Sequence, residues 1–197
     1  AFPNVTSTYP FNESEFFNGP PAKTNFSYGI TKRALHAQTV AYRQQYGLNY
    51  SSFCPSNLYG PSDNFNPDSS HFVASLIKKL EAANDGDVIE LWGSGKPLRQ
   101  QLYVDDLCNL IPLLLEEHNS DKPLIVSNHE NLSIKEMAHI GRETLNKDVT
   151  FSFNGAHEGQ HRKDGNNAAL IELIGKYNFT KFKDGVKKTY NWYLENK

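Results

Sequence analysis

Stretches patterned for strands and stretches patterned for helices take turns along this chain, and that alternation confines it to the α/β class. Residues 1–23 hold four prolines and little periodicity, and read as an ordered loop or linker. Helical spacing runs from Tyr28 to Tyr46, with Thr24 or Asn25 as candidate N-cap and Gly47 where a helix ends. Residues 50–58 alternate as one strand that enters the polar loop YGPSDNFNPDSS, residues 59–70. An Asp or Ser at the end of that loop is expected to cap a helix over 71–83, whose apolar stripe is FVASLIKKL. DVIELWG reads as a short strand. LRQQLYVDDLCNLIPLLLEEH reads as another strand, then a helix from near Asp105 that Pro112 should kink or restart. PLIVSN is a strand, and SIKEMAHIGRETL is a helix that opens with the capping-box pair Ser133 and Glu136. DVTFSF closes the strands, and NAALIELIG and FKDGVKKTYNWYLEN supply two last helices.

The 197 residues are enough to bury a real core, and 38% of them are hydrophobic, as in an ordinary soluble globular protein. A net charge of −2 gives no electrostatic argument for nucleic acid or an anionic membrane, so neither is expected as a partner. No apolar run is long enough to span a bilayer. Cys54 and Cys108 sit among apolar neighbours and read as buried thiols, and no spacing suggests a metal site. Sequons begin at Asn4, Asn12, Asn25, Asn49, Asn131 and Asn178, a pattern that arises by chance in a chain this rich in Asn, Ser and Thr. The expectation is a cytoplasmic protein.

Tyr28 and Lys32 stand at i and i+4, on one helical face. An ammonium beside a phenol stabilises the phenolate, and such a tyrosine can hand a proton to a carbonyl oxygen as hydride arrives. The pair gains meaning from CPSNLYGPSDNFNPDSSH, residues 54–71, in the strand and loop that follow. No G-x-G-x-x-G, G-x-x-G-x-x-G or P-loop occurs, so a dinucleotide is not gripped within these residues by a glycine-rich turn.

Tyr-x-x-x-Lys followed by a strand ending P-x-N-x-Y-G-P resembles the extended short-chain dehydrogenase/reductase family. The longer strings, NLYGPSDNFNPDSSH, WGSGKPLRQQLYVDDL and EGQHRK, resemble its GDP-L-fucose synthase branch along the whole chain. The resemblance implies the distal part of a Rossmann-like parallel sheet interwoven with a smaller α/β substrate-binding domain. Residues 1–60, with a return near 100–118, would form the Rossmann-like part, and 61–99 and 119–197 mainly the substrate-binding part. It also implies NADPH-dependent 3,5-epimerisation and 4-reduction of GDP-4-keto-6-deoxy-D-mannose to GDP-L-fucose. A homodimer would form through the helix at 28–46. In that family an S-x-C-x-x-P stretch carries a catalytic serine and an epimerisation cysteine. Only Phe2-Pro3 matches its end, so the chain is expected to be the C-terminal two-thirds of such an enzyme and inactive by itself.

Carried over residue by residue, Tyr28 is the implied proton donor to the 4-keto oxygen and Lys32 its electrostatic partner and cofactor-ribose ligand. Pro55, Ser56, Asn57 and Leu58 would meet NADP(H), and Asn57 the substrate as well; the family has threonine more often at 56. His71 would be the second acid/base of the epimerisation, beside the cofactor, with an imidazole suited to proton exchange near neutrality. Lys79, Trp92, Arg99 and Lys163 match positions that hold the GDP portion, where cations suit a pyrophosphate and an indole suits a base or ribose. Arginine is the commoner residue at 79, and lysine lacks its fork. On residue type alone other roles stay open. His71 could help cap its helix, and Trp92 could be core against a turn. Arg99 could pair with Asp105 or Asp106, and Lys163 could be an ordinary exposed lysine. Two alternatives at the level of function are a non-catalytic nucleotide-sugar binder and a different sugar-nucleotide epimerase or dehydratase. A third is a fragment with open strand edges that folds only as an oligomer.

Overall fold

The computed structural model describes residues 1–156 and 159–197, so Glu158, the first residue of EGQHRK, lies outside the described residues. Its elements, in chain order, are α1 (Phe26–Tyr46), β1 (Phe53–Pro55), β2 (Asn57–Tyr59), α2 (Phe72–Ala82), β3 (Val88–Leu91), β4 (Leu98–Arg99) and β5 (Gln101–Tyr103). These are followed by α3 (Val104–Glu117), β6 (Leu124–Val126), β7 (Leu132–Ser133), α4 (Ile134–Thr144), β8 (Thr150–Phe153), β9 (Arg162–Lys163), α5 (Ala168–Ile174) and α6 (Phe182–Asn196). The chain is α/β, as its alternation requires. It divides into two compact units. The first comprises Ala1–Ser56, Leu107–His129 and Lys163–Asn178; the second comprises Asn57–Asp106, Glu130–Arg162 and Phe179–Lys197.

In the first unit β1 runs parallel to β6, with Phe53 opposite Leu124 and Pro55 opposite Val126. The leading segment is ordered by its aromatic rings: Phe2 stacks on Phe11 at 5.1 Å and meets Phe16 edge-on at 5.5 Å. It is tied to the third stretch of the unit where Phe11 N–H donates to Asp164 O at 2.8 Å. Helix α1 begins at Phe26 after a short 3-10 turn, and the Asn25 side chain makes no capping bond. It ends where expected, at Gly47 with φ +65°, whose N–H reaches Arg43 O.

The second unit holds two parallel pairs, β2 with β5 and β3 with β8, and an antiparallel pair of β4 with β7. Its core has two clusters: Tyr59, Val73, Ile77, Tyr103, Met137, Phe182 and Val186, and Leu76, Leu80, Ile89, Leu91, Ala138 and Val149. Burying each of these large side chains contributes about 1.5–3 kcal/mol. Helix α4 starts with the full capping box: Glu136 N–H donates to Ser133 Oγ at 3.1 Å, and Ser133 N–H donates to Glu136 Oε2 at 2.7 Å.

Four local expectations change. The strand expected over 50–58 is two strands broken at Ser56, because its halves pair with different partners, β6 and β5. No loop Asp or Ser caps α2; His71 occupies the N-cap position and its side chain makes no capping bond. Helix α3 is continuous through Pro112, so of the two expected effects the restart is removed, and Pro112 itself is exposed. Cys54 is half-buried, but Cys108 is exposed, because α3 turns Leu107, Leu110 and Leu114 inward instead.

Candidate functional site

Five of the expected site residues belong to the first unit. Tyr28 and Lys32 stand on the first two turns of α1, with Lys32 Nζ 5.6 Å from the centre of the Tyr28 ring. The helix buries Gly29, Arg33 and His36, positions one and two turns apart, so Tyr28 and Lys32 project from its other side. Tyr28 is 62% exposed, which leaves its hydroxyl open to a carbonyl-bearing ligand. Pro55 ends β1. Ser56 N–H makes the next bond, to Val126 O at 2.9 Å, and the Ser56 Oγ is buried with no hydrogen-bond partner among the described residues. Lys163 is exposed at the end of β9.

The remaining expected residues belong to the second unit. Asn57 and Leu58 open β2 and are exposed, and so is His71 at the head of α2. Lys79 leans from α2 to β3, its Nζ donating to Glu90 O at 2.8 Å, two residues before Trp92. Trp92 is 70% exposed, which removes the alternative of a core indole. The turn beneath it is fixed by Gly93 N–H donating to Asn154 Oδ1 at 3.2 Å. Gly95, φ +75°, has its Cα face 2.6 Å from Phe153 Cε1 for any added Cβ, so a side chain does not fit there. Arg99 spends Nη1 on the carbonyls of Leu98, at 2.7 Å, and Gln160, at 2.8 Å. Asp106, one of its suggested acid partners, is buried and has both oxygens taken by Thr180 N–H and Oγ1–H. In this unit Lys79 reaches the strand β3 that Trp92 directly follows, and Arg99 is braced by the Gln160 carbonyl. A cation and an indole face at one strand end suit a phosphate and an aromatic or sugar ring.

Among the described residues of the second unit, two of the open grooves are lined by no expected site residue. One, of about 570 Å³, lies between Phe65, Lys78, Trp192 and Tyr193; the other, of about 520 Å³, lies between Phe179 and Lys188. Among the described residues no cluster of His, Cys, Asp or Glu could hold a metal, and no helix is long and apolar enough to cross a membrane.

Several structural polar residues escaped the sequence reading. His36 is buried and its Nδ1 lies 2.6 Å from Ser52 Oγ. Glu130 accepts from Phe182 N–H at 2.7 Å and so caps α6 from a distance in sequence. Arg33 is buried beside Lys32 and grips two backbone carbonyls. The one local signal for Arg33 and His36 was their i+4 and i+7 spacing from Gly29, a buried face made of polar residues.

A family model described as NAD dependent epimerase/dehydratase family matches residues 1–128. A probable GDP-L-fucose synthase of Drosophila melanogaster is 34% identical over 212 residues, spanning 99% of this chain and 64% of that protein. The GDP-L-fucose synthase of Dictyostelium discoideum is 32% identical over 200 residues, spanning 99% of this chain and 62% of its own length. The crystal structure of a GDP-L-fucose synthetase from Naegleria fowleri bound to NADP superposes with a TM-score of 0.91 at 30% identity, covering 99% of this chain and 63% of that one. The chain thus spans under two-thirds of the length of these three relatives.

Proposed function

The chain belongs to the NAD dependent epimerase/dehydratase family, and from that premise we propose that it carries the acid–base and nucleotide-holding part of a GDP-sugar epimerase-reductase. The reaction is 3,5-epimerisation and 4-reduction of GDP-4-keto-6-deoxy-D-mannose to GDP-L-fucose. The observation that carries this reading is the Tyr28–Lys32 pair, 5.6 Å apart on an exposed helix face, in a chain matched end to end by GDP-L-fucose synthases.

Tyr28 donates its phenolic proton to the oxygen at C4. Lys32 stabilises the phenolate left behind and holds ribose hydroxyls. His71 exchanges protons at the carbons flanking the keto group, which acidifies them. Lys79, Arg99 and Lys163 hold the pyrophosphate, Trp92 offers its face to the guanine or ribose, and Asn57 meets the sugar. Tyr28, Lys32, Pro55, Ser56, Asn57, Leu58 and His71 would hold NADP(H), a reading supported by the buried Ser56 hydroxyl, which has no partner among the described residues and which such a ligand would satisfy. The cofactor, when bound, supplies the hydride to C4. We place the protein in the cytoplasm, supported by two unpaired thiols, and as a homodimer, supported by the exposed Ile30, Leu35, Tyr42 and Tyr46 of α1.

The test is NADPH oxidation with the keto sugar in the protein carrying this sequence, beside Tyr28→Phe. The substitution should lower turnover roughly a hundred- to ten-thousand-fold and leave GDP binding within about twofold. Undiminished turnover in Tyr28→Phe would refute the assignment. A second reading, GDP-sugar binding without turnover, is favoured by the exposed Trp92 just beyond the strand that Lys79 reaches, a cation and an indole that suit a nucleotide. It predicts GDP binding, preferred over UDP and dTDP, with no NADPH oxidation.

A further inference from the structure

Arg33 follows Lys32 in α1 but faces inward, where it is 7% exposed. Its guanidinium is divided between the two ends of the leading segment: Nε donates to Ala1 O at 2.9 Å and Nη1 to Gly19 O at 2.6 Å. Its Cζ lies 5.9 Å from the Phe16 ring and 6.0 Å from the Phe17 ring. One turn earlier, Gly29 gives the segment its seat, for a Cβ there would stand 2.6 Å from Pro21 Cβ and 3.3 Å from Ala1 Cβ. The same segment reaches the strands. Glu13 Oε1 accepts from Ile125 N–H at 3.1 Å, and Ile125 is the register partner of Cys54 in β1. Burial pushes the Cys54 thiol up, with Glu13 adding to the rise. The leading segment therefore fills the space between the first turns of α1 and the strand that ends at Pro55.

A buried cation is costly, and a lysine at 33 could not offset the cost in the same way. A planar guanidinium presents several donors in fixed directions, so one rigid group serves two carbonyls at once. We propose that Arg33 is a positioning residue which, by gripping Ala1 and Gly19 together, sets the separation between the Tyr28–Lys32 turn and the Pro55–Ser56 end of β1. Its importance for the reaction rests on the function proposed above; the clamp itself does not.

The two thiols provide the readout, since Cys108 is exposed and Cys54 is half-buried beside the leading segment. In the unaltered protein a disulfide reagent should modify Cys108 rapidly and Cys54 slowly. Arg33→Met should speed modification of Cys54 on the order of tenfold, leaving the Cys108 rate and the circular dichroism unchanged. Arg33→Lys should restore only part of the protection, because an ammonium cannot reproduce the fork. NADPH titration of the same samples should weaken in step with Cys54 exposure. An unchanged Cys54 rate in Arg33→Met, full protection in Arg33→Lys, or equal acceleration of both thiols would overturn the clamp. If the unaltered protein binds no NADPH, the cofactor role fails, and the thiol rates still judge the clamp by themselves.

Discussion

Helix α2 turns Val73, Ala74, Leu76, Ile77 and Leu80 inward, whereas α1 turns Gly29, Arg33 and His36 inward and leaves Ile30, Leu35, Tyr42 and Tyr46 at the surface. Each helix is secured by a different kind of force. Apolar burial is strong but has no direction, so α2 is fixed mainly by how well its side chains fill their space. Hydrogen bonds from Arg33 and His36 contribute less free energy each, but they fix distance and angle. The helix held by directional contacts is the one that carries Tyr28 and Lys32. The proton transfer proposed for Tyr28 would tolerate little misplacement, and polar anchoring suits that demand.

The largest effect that could break this contrast is expected at Ile77, which is 0% exposed. Ile77→Ala should cost about 3 kcal/mol in urea unfolding, through lost transfer energy and the cavity left behind. A cost below about 1 kcal/mol would mean that α2 is not held by its packing.

His36 tests the polar side of the contrast. Burial holds its imidazole below the usual value of 6.5, with Asp121 opposing. The native state then binds fewer protons than the unfolded chain just below pH 6.5. Stability should be constant above that pH and fall as pH drops through 6.5, by at most about 1.4 kcal/mol per pH unit, until the folded group also protonates. His36→Gln should flatten that part of the unfolding profile. An unaltered slope would assign it to the other histidines.

The smallest change is expected at Leu35, which is 49% exposed. Leu35→Ala should alter the stability of dilute protein by no more than about 0.5 kcal/mol. A larger loss that appears only as concentration rises would sharpen the contrast, because it would show the apolar face of α1 covered by a second copy.

Features governed by near neighbours were legible in the sequence. Ser133 and Glu136 form their reciprocal cap because both partners lie within one turn, and Gly47 ends α1 for the same kind of reason. Tyr28 and Lys32 were likewise readable as a shared face. What failed depended on partners far along the chain. Nothing local in residues 50–58 reveals that Cys54 will pair with Ile125 and Leu58 with Leu102, yet those pairings decide the break at Ser56. Cys108 looked buried by its neighbours in sequence, but its exposure follows from the helical phase that buries Leu107, Leu110 and Leu114. Arg33 was not singled out, because its acceptors, Ala1 and Gly19, are contributed by a segment without periodicity.

Gly29 also carries a consequence for how this chain can drift. By propensity alone a glycine inside a helix is a weakness of roughly 0.5–1 kcal/mol, and alanine would be the obvious repair. The methyl group that would repair it must occupy the volume already taken by Pro21. Positions 21 and 29 are therefore not free to vary independently: a larger residue at one is tolerated only after the other retreats. Related chains should show the two positions changing as a pair, with intrinsic helicity surrendered wherever the proline is kept.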